Sequence, residues 1–150
     1  MGVISDTHGL VRVEALAALQ GCELIIHAGD IGRPEVLDRL REIAPVHAVR
    51  GNNDRDAWAG SLPLTEVVEL GGVYAYLLHD IADLDIEPAA AGMAAVITGH
   101  SHKPVAELRD GVLYLNPGSA GPRRFKLPIT VARLRITDGQ LKPEIVRLEV

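Results

Sequence analysis

Aromatic side chains are scarce in this sequence, and sulfur is scarcer. One tryptophan, three tyrosines and one phenylalanine among 150 residues leave a core to be built from Leu, Val, Ile and Ala. Cys22 is the only cysteine, so an internal disulfide is excluded. A reducing compartment suits the chain, and packing beside the following strand is the simplest role for the thiol. There is no apolar run of membrane-spanning length and no basic-then-apolar leader, so the expectation is a cytoplasmic protein without a membrane partner. Long basic runs are also missing: 15 Lys and Arg stand against 20 Asp and Glu, a formal charge of −5. That balance argues against nucleic acid as a partner and leaves room for a phosphate at a locally positive site. No repeat, linker or low-complexity segment interrupts the chain, and 47% of it is hydrophobic, so residues 1–150 read as a single domain.

What is present alternates, then changes character. Residues 2–4 form an apolar run so short that it reads as a clipped or frayed strand. Helical spacing follows over 11–19, a continuous apolar strand over 23–27, a helix over 35–43 opened by Pro34, and another strand over 46–49. That alternation predicts βαβ units and a parallel sheet. Beyond it, Gly71-Gly72, Asp110-Gly111 and Asp138-Gly139 each separate two strand-like runs, which is the signature of two-residue hairpins. A buried strand is expected over 94–98, and Pro88 to Ala91 reads as the opening of a short helix. The pattern predicts an α/β fold in four layers, α/β/β/α: two mixed β-sheets face to face, flanked by helices.

Side chains able to bind metal gather where these strands end. Asp6 and His8 stand two apart in Ser5-Asp6-Thr7-His8-Gly9, and His100 and His102 stand two apart in Gly99-His100-Ser101-His102. Residues i and i+2 of extended backbone point to one side, so each stretch can offer two donors to one place. Asp30, Asn52 and His79 sit at three further strand exits. Ligands of open α/β sheets collect outside the carboxyl ends of the strands, so the five loops should converge. The set is nitrogen and oxygen without thiolate, and four imidazoles argue against magnesium or calcium alone. Seven donors exceed one tetrahedral site and suit two ions sharing a carboxylate. His47 matches no ligand spacing and reads as structural; His27 reads as a partner that supports the donors from behind.

Taken in order, Ser5-Asp6-Thr7-His8-Gly9, Gly29-Asp30, Gly51-Asn52, His79 and Gly99-His100-Ser101-His102 resemble the motifs of the calcineurin-like metallophosphoesterases. Asn116-Pro117-Gly118-Ser119 is similar to the compact phosphodiesterase branch, which includes the retromer scaffold subunit. The resemblance spans residues 2 to about 125. It implies a sandwich of two sheets with helices on both outer faces. It also implies that Asp6, His8 and His102 hold one metal, that Asn52, His79 and His100 hold the other, and that Asp30 bridges them. The implied cofactors are two divalent transition ions, manganese first, with iron, nickel, cobalt or zinc as alternatives. The implied activity is hydrolysis of a small phosphate ester, a phosphodiester before a monoester, by in-line attack of a metal-bridging hydroxide. Asp30, Asn52 and His79 would be central to that catalysis.

The sequence departs from the family at two positions near the site. Asn53 stands where many members carry a histidine thought to protonate the leaving group, and an amide is no general acid at neutral pH. Asp80 follows His79 where glycine is more usual. Asn53, Arg123 and Arg124 are the candidate substrate contacts. A non-catalytic metal-binding or protein-interaction scaffold of the same fold is the alternative, and self-association is open on either reading.

Overall fold

The first fifty residues form the strand–helix alternation that their apolar spacing implies. In the computed structural model, which describes residues 1–150, β1 (Gly2–Ile4), β2 (Ile25–His27) and β3 (Val46–Ala48) are separated by α1 (Val13–Ala18) and α2 (Pro34–Arg41). Pro34 opens α2, where the N–H it lacks would have had no helical acceptor, and Val36, Leu37 and Leu40 are buried. β1 pairs in parallel with β2, and β2 with β3. Though only three residues long, β1 is not frayed. It is the middle strand of its sheet and buried along its length.

The rest of the chain is built on hairpins. They join β4 (Thr65–Leu70) to β5 (Val73–Leu78), β7 (Val105–Arg109) to β8 (Val112–Asn116) and β9 (Thr130–Thr137) to β10 (Gln140–Arg147). β6 (Met93–Ile97) lies between the first two pairs in sequence. Both residues of each turn have positive φ: 58° and 93° at Gly71-Gly72, 51° and 78° at Asp110-Gly111, 52° and 76° at Asp138-Gly139. Turns of that hand match the twist of paired strands. The result is two mixed five-stranded sheets, ordered β10-β9-β1-β2-β3 and β4-β5-β6-β8-β7.

Alternating side chains divide the interior into layers. Val3, Ile26, Ala132 and Leu134 meet Ala75, Leu77, Ala95 and Ile97 between the sheets. Ile4, Ile25 and Val131 face the other way and pack with Ala15, Leu37 and Leu40 of the two helices, with Cys22 among them. The outer face of the second sheet presents Tyr76, Leu78 and Val96, covered by Leu84 and Ile86. That covering layer is a 3-10 turn, Ile81–Asp83, and the loop after it. So α-helices form one outer layer and a 3-10 turn with its loop forms the other. Pro88 to Ala91 does not open a helix: it makes one turn, closed by the Met93 N–H on the Pro88 carbonyl at 2.9 Å and followed by Gly92 at φ 81°. A 3-10 helix over Ala57–Ser61 has no counterpart in the sequence reading.

Candidate metal centre

Five loops converge at one end of the sandwich. The exits of β1, β2 and β3 bring Asp6, His8, Asp30 and Asn52 from the first sheet; the exits of β5 and β6 bring His79, His100 and His102 from the second. The donor atoms of Asp6, His8 and His102 all lie within 4.8 Å of one another, and so do those of Asp30, His79 and His100. Asn52 joins the second group through its Oδ1, 3.2 Å from Nδ1 of His100. Five of the seven donors take backbone conformations that L-residues avoid: φ is 55° at Asp6, 47° at His8, 55° at Asp30, 72° at His100 and 64° at His102. Such strain persists only where the surroundings impose it, and it concentrates at functional sites.

The surroundings do impose it. One carboxylate oxygen of Asp6, Oδ2, accepts from the Ser5 hydroxyl at 2.7 Å and from the His100 N–H at 3.0 Å. Its other oxygen, Oδ1, is left free toward the cluster. Asp30 accepts from the Asn53 N–H on Oδ1 at 2.9 Å and from the Asn53 side-chain amide on Oδ2 at 3.0 Å. His79 Nδ1 donates to the Ala28 carbonyl at 2.7 Å, which fixes the tautomer and turns Nε2 inward. Close approach needs glycine at several points of the site, Gly29 and Gly99 among them. A Cβ on Gly29, at φ 101°, would stand 2.6 Å from His79 Nδ1, and one on Gly99 would stand 2.7 Å from Asp6 Oδ2.

The inward atoms fit cations better than they fit each other. Asp6 Oδ1, His8 Nε2 and His79 Nε2 are buried without a hydrogen-bond partner. His8 Nε2 is 4.0 Å from Asp6 Oδ1 and 3.8 Å from Asp30 Oδ2. His79 Nε2 is 3.3 Å from Asp30 Oδ2, and His102 Nε2 is 3.4 Å from Asp6 Oδ1. Those gaps are long for hydrogen bonds. They approach the spacing, roughly 3.0–3.5 Å, between donors that share an ion at bonds of about 2.1 Å.

Electrostatics follow from this crowding. Burial alone would push the Asp30 carboxyl up, but the His79 ring, the Asn53 N–H and the charge on His8 hold it well below the usual carboxylate range. Burial would lower His79, yet Asp30, the Ala28 carbonyl and Asp6 raise it. At His102 burial wins and the imidazole is lowered, with Arg124 and His8 adding to the effect.

Three supporting groups were invisible or half-visible in sequence. Asp54, buried at the end of Gly51-Asn52-Asn53-Asp54, accepts from the N–H groups of Gly51, Ile31 and Gly32 at 2.9, 3.1 and 3.0 Å. It ties the exits of β2 and β3 together. His27 is fully buried: its Nδ1 accepts from the Gly29 N–H at 3.1 Å, so Nε2 carries the proton toward Thr7 Oγ1 at 3.0 Å. The Thr7 hydroxyl in turn donates to the Ile31 carbonyl at 2.8 Å. Burial foremost, then the His79 charge, lowers the His27 pKa to about 3. Asn116 and Ser119 bind the Gly99 and Asp6 carbonyls, so the Asn116-Pro117-Gly118-Ser119 turn braces the site from below. Among the candidate substrate contacts, Asn53 is committed to Asp30. Arg123 donates to the Leu127 carbonyl at 3.3 Å. Arg124 is exposed, close enough for its charge to bear on His102. His47 pairs with Glu66 at 3.0 Å, linking β3 to β4 away from the site.

Fold and site together define a two-sheet α/β protein with a histidine–carboxylate centre at its strand ends, built from two donor groups that could each hold a metal ion. The chain belongs to the calcineurin-like phosphoesterase superfamily, whose domain model matches residues 1–139. It is 37% identical to a probable metallophosphoesterase of Methanothermobacter thermautotrophicus over 98% of this chain and 91% of that protein. It is 33% identical to the phosphodiesterase YfcE of Escherichia coli over 77% of this chain and 76% of that one. Among solved structures it is similar to the zinc complex of Vps29 from Entamoeba histolytica, with a TM-score of 0.72, 26% identity and coverage of 98% and 99% of the two chains. No helix of the chain is long and apolar enough to cross a membrane.

Proposed function

We propose that the chain, as one domain over residues 1–150, hydrolyses phosphodiesters at a centre holding two divalent transition ions. The observation that carries this reading is the set of buried, unpartnered atoms Asp6 Oδ1, His8 Nε2 and His79 Nε2 facing one small region. Unpartnered buried polar atoms are costly, and cations would satisfy all three. Asp6, His8 and His102 would hold one ion, Asn52, His79 and His100 the other, and Asp30 both. Bound ions of this kind supply a water nucleophile at neutral pH and neutralise the charge that develops on the phosphoryl group.

The chain's own residues set the rest. The Asn53 amide and N–H hold the Asp30 carboxylate in place and keep it ionised. The Ala28 carbonyl fixes the His79 tautomer. A cavity of about 400 Å³, lined in part by Arg50, Asn52, Leu64 and His79, adjoins the second donor group and gives room for the ester's organic part. Arg124 adds positive charge on the His102 side. Asn53 puts no imidazole beside Asn52, so leaving groups that depart without a proton, such as aryl oxides, are favoured. Manganese stands first among the candidate metals as the family resemblance implies, and the mixed imidazole and carboxylate donors leave iron, nickel, cobalt and zinc open. The likeness to Vps29 supports a second reading, a metal-binding interaction scaffold.

The two readings separate in one experiment. Chelator-stripped protein is reloaded with Mn²⁺, Co²⁺, Ni²⁺, Fe²⁺ or Zn²⁺, its ions are counted, and hydrolysis of bis-p-nitrophenyl phosphate, monoesters and cyclic nucleotides is followed. Two ions per chain with diester hydrolysis abolished by Asp30→Ala is the expected result. Two bound ions with no hydrolysis of any ester leaves the scaffold.

A further inference from the structure

Asp80 has one oxygen hydrogen-bonded and the other turned to a histidine ring of the site. Oδ1 accepts from the Ala82 N–H at 3.0 Å, where Asp80 caps the 3-10 turn Ile81–Asp83. That bond fixes the side-chain direction. Oδ2 is thereby aimed at the His100 ring, 3.5 Å from Nε2, the nitrogen turned away from Asn52. The other nitrogen of that ring, Nδ1, points the opposite way, to Asn52 Oδ1 at 3.2 Å. The His100 backbone is held as well, by its N–H on Asp6 Oδ2. The ring therefore sits between a donor of the second group on one side and a pinned carboxylate on the other. It needs such support, because its side chain is 44% exposed while those of His79 and His102 are 6% and 3% exposed. Packing holds those two rings; little packing holds this one.

We infer that Asp80 is a positioning residue for His100, steering the imidazole so that Nδ1 is presented to the ion site shared with Asp30, His79 and Asn52. This rests on the two-ion reading above. A carboxylate on the far nitrogen of a ligand histidine orients the ring and strengthens it as a donor, and losing such a partner costs about 10–100-fold in metal affinity. Asp80 acts on the ion through His100; it also lines the cavity assigned to the ester's organic part, so metal affinity, and not turnover, is the readout of this role. Its effect on metal binding is expected at one site, because no hydrogen bond or ion pair joins it to Asp6, His8 or His102.

The capping role and the positioning role respond differently to substitution. Asp80→Asn keeps an oxygen for the Ala82 N–H and removes the carboxylate from His100. Asp80→Ala removes both. Metal-free parent and variants are titrated with Mn²⁺, and the free ion is read by electron paramagnetic resonance. In both variants one Mn²⁺ should bind at least tenfold more weakly, while the other stays within twofold of the parent. Unfolding midpoints of the metal-free proteins test the cap alone, and there Asp80→Asn should match the parent. If Asp80→Asn binds both ions like the parent and only Asp80→Ala is weakened, the role is the cap and the inference falls. It falls too if both sites weaken equally. If the parent itself takes up fewer than two ions, the two-ion reading fails and carries this one with it; if the parent binds two and both variants match it, only this inference fails.

Discussion

His27→Gln turns a buried hydrogen-bond relay into a measurable dependence of stability on pH. In the fold His27 is fully buried and neutral, with its pKa lowered from 6.5 to about 3. The unfolded chain has no such restriction. As the pH falls below 6.5, the unfolded state takes up a proton that the folded state refuses, so stability is complete above 6.5 and declines below it. The decline is about 1.4 kcal/mol per pH unit, or about 2 kcal/mol by pH 5. Glutamine can still donate to Thr7 but cannot titrate. Losing the Gly29 N–H acceptor costs it about 1 kcal/mol at every pH. Urea unfolding of chelator-treated parent and variant between pH 7.5 and 5 reads the effect, because histidines that do not interact with His27 cancel in the difference. The parent-minus-variant difference should fall by about 2 kcal/mol across that range and change sign. A difference that stays constant with pH would mean that His27 is protonated in the fold, and the Gly29–His27–Thr7–Ile31 relay would be wrong.

Three further outcomes are expected. Asp54→Ala strands the N–H groups of Gly51, Ile31 and Gly32 and should cost about 3 kcal/mol or more in urea unfolding; a loss under about 1 kcal/mol would show that water replaces the carboxylate. In metal-free protein His8→Gly should be about 1 kcal/mol more stable than His8→Ala, because φ at that position is 47° and glycine carries no penalty there; equal unfolding midpoints would deny the backbone strain. Asp30→Ala should lose both ions by elemental analysis and His8→Ala mainly one, whereas equal losses would contradict the bridging assignment.

Much of this was legible because the relevant signals are local. Gly71-Gly72, Asp110-Gly111 and Asp138-Gly139 announce their hairpins, since few other dipeptides take positive φ twice in succession. Paired donors two residues apart, placed just past apolar strands, announced the candidate cluster, but extended backbone is not the reason: φ is positive at Asp6, His8, His100 and His102, and His100 and His102 fall in different donor groups. What stayed hidden depends on long-range geometry. Asp54 looks like the last residue of an ordinary turn, and only the approach of the β2 exit reveals three N–H groups waiting for it. Asn53 reads as a candidate substrate contact, yet Asp30 lies close enough to claim it. The helix expected at Pro88 fails because Gly92 ends the first turn before an apolar face can form. The outer layer over the second sheet rests on Leu84 and Ile86, two residues too few to show a period.

The two-sheet origin of the cluster has a consequence for when it can exist. The bond from the His100 N–H to Asp6 closes a span of 94 residues, and that from the Ser119 hydroxyl to the Asp6 carbonyl closes 113. Contacts between such distant segments carry a large loop-closure entropy and form late in folding. On an unfolded or nascent chain the donors exist only as neighbours, Asp6 beside His8 and His100 beside His102, each pair too weak a chelator to gather the other. A cation would therefore meet a finished cage and could not act as a seed for it, unlike small domains that fold around their metal. The ion loaded would be chosen after synthesis, by supply and by the rate at which each leaves, and could be exchanged without unfolding the chain.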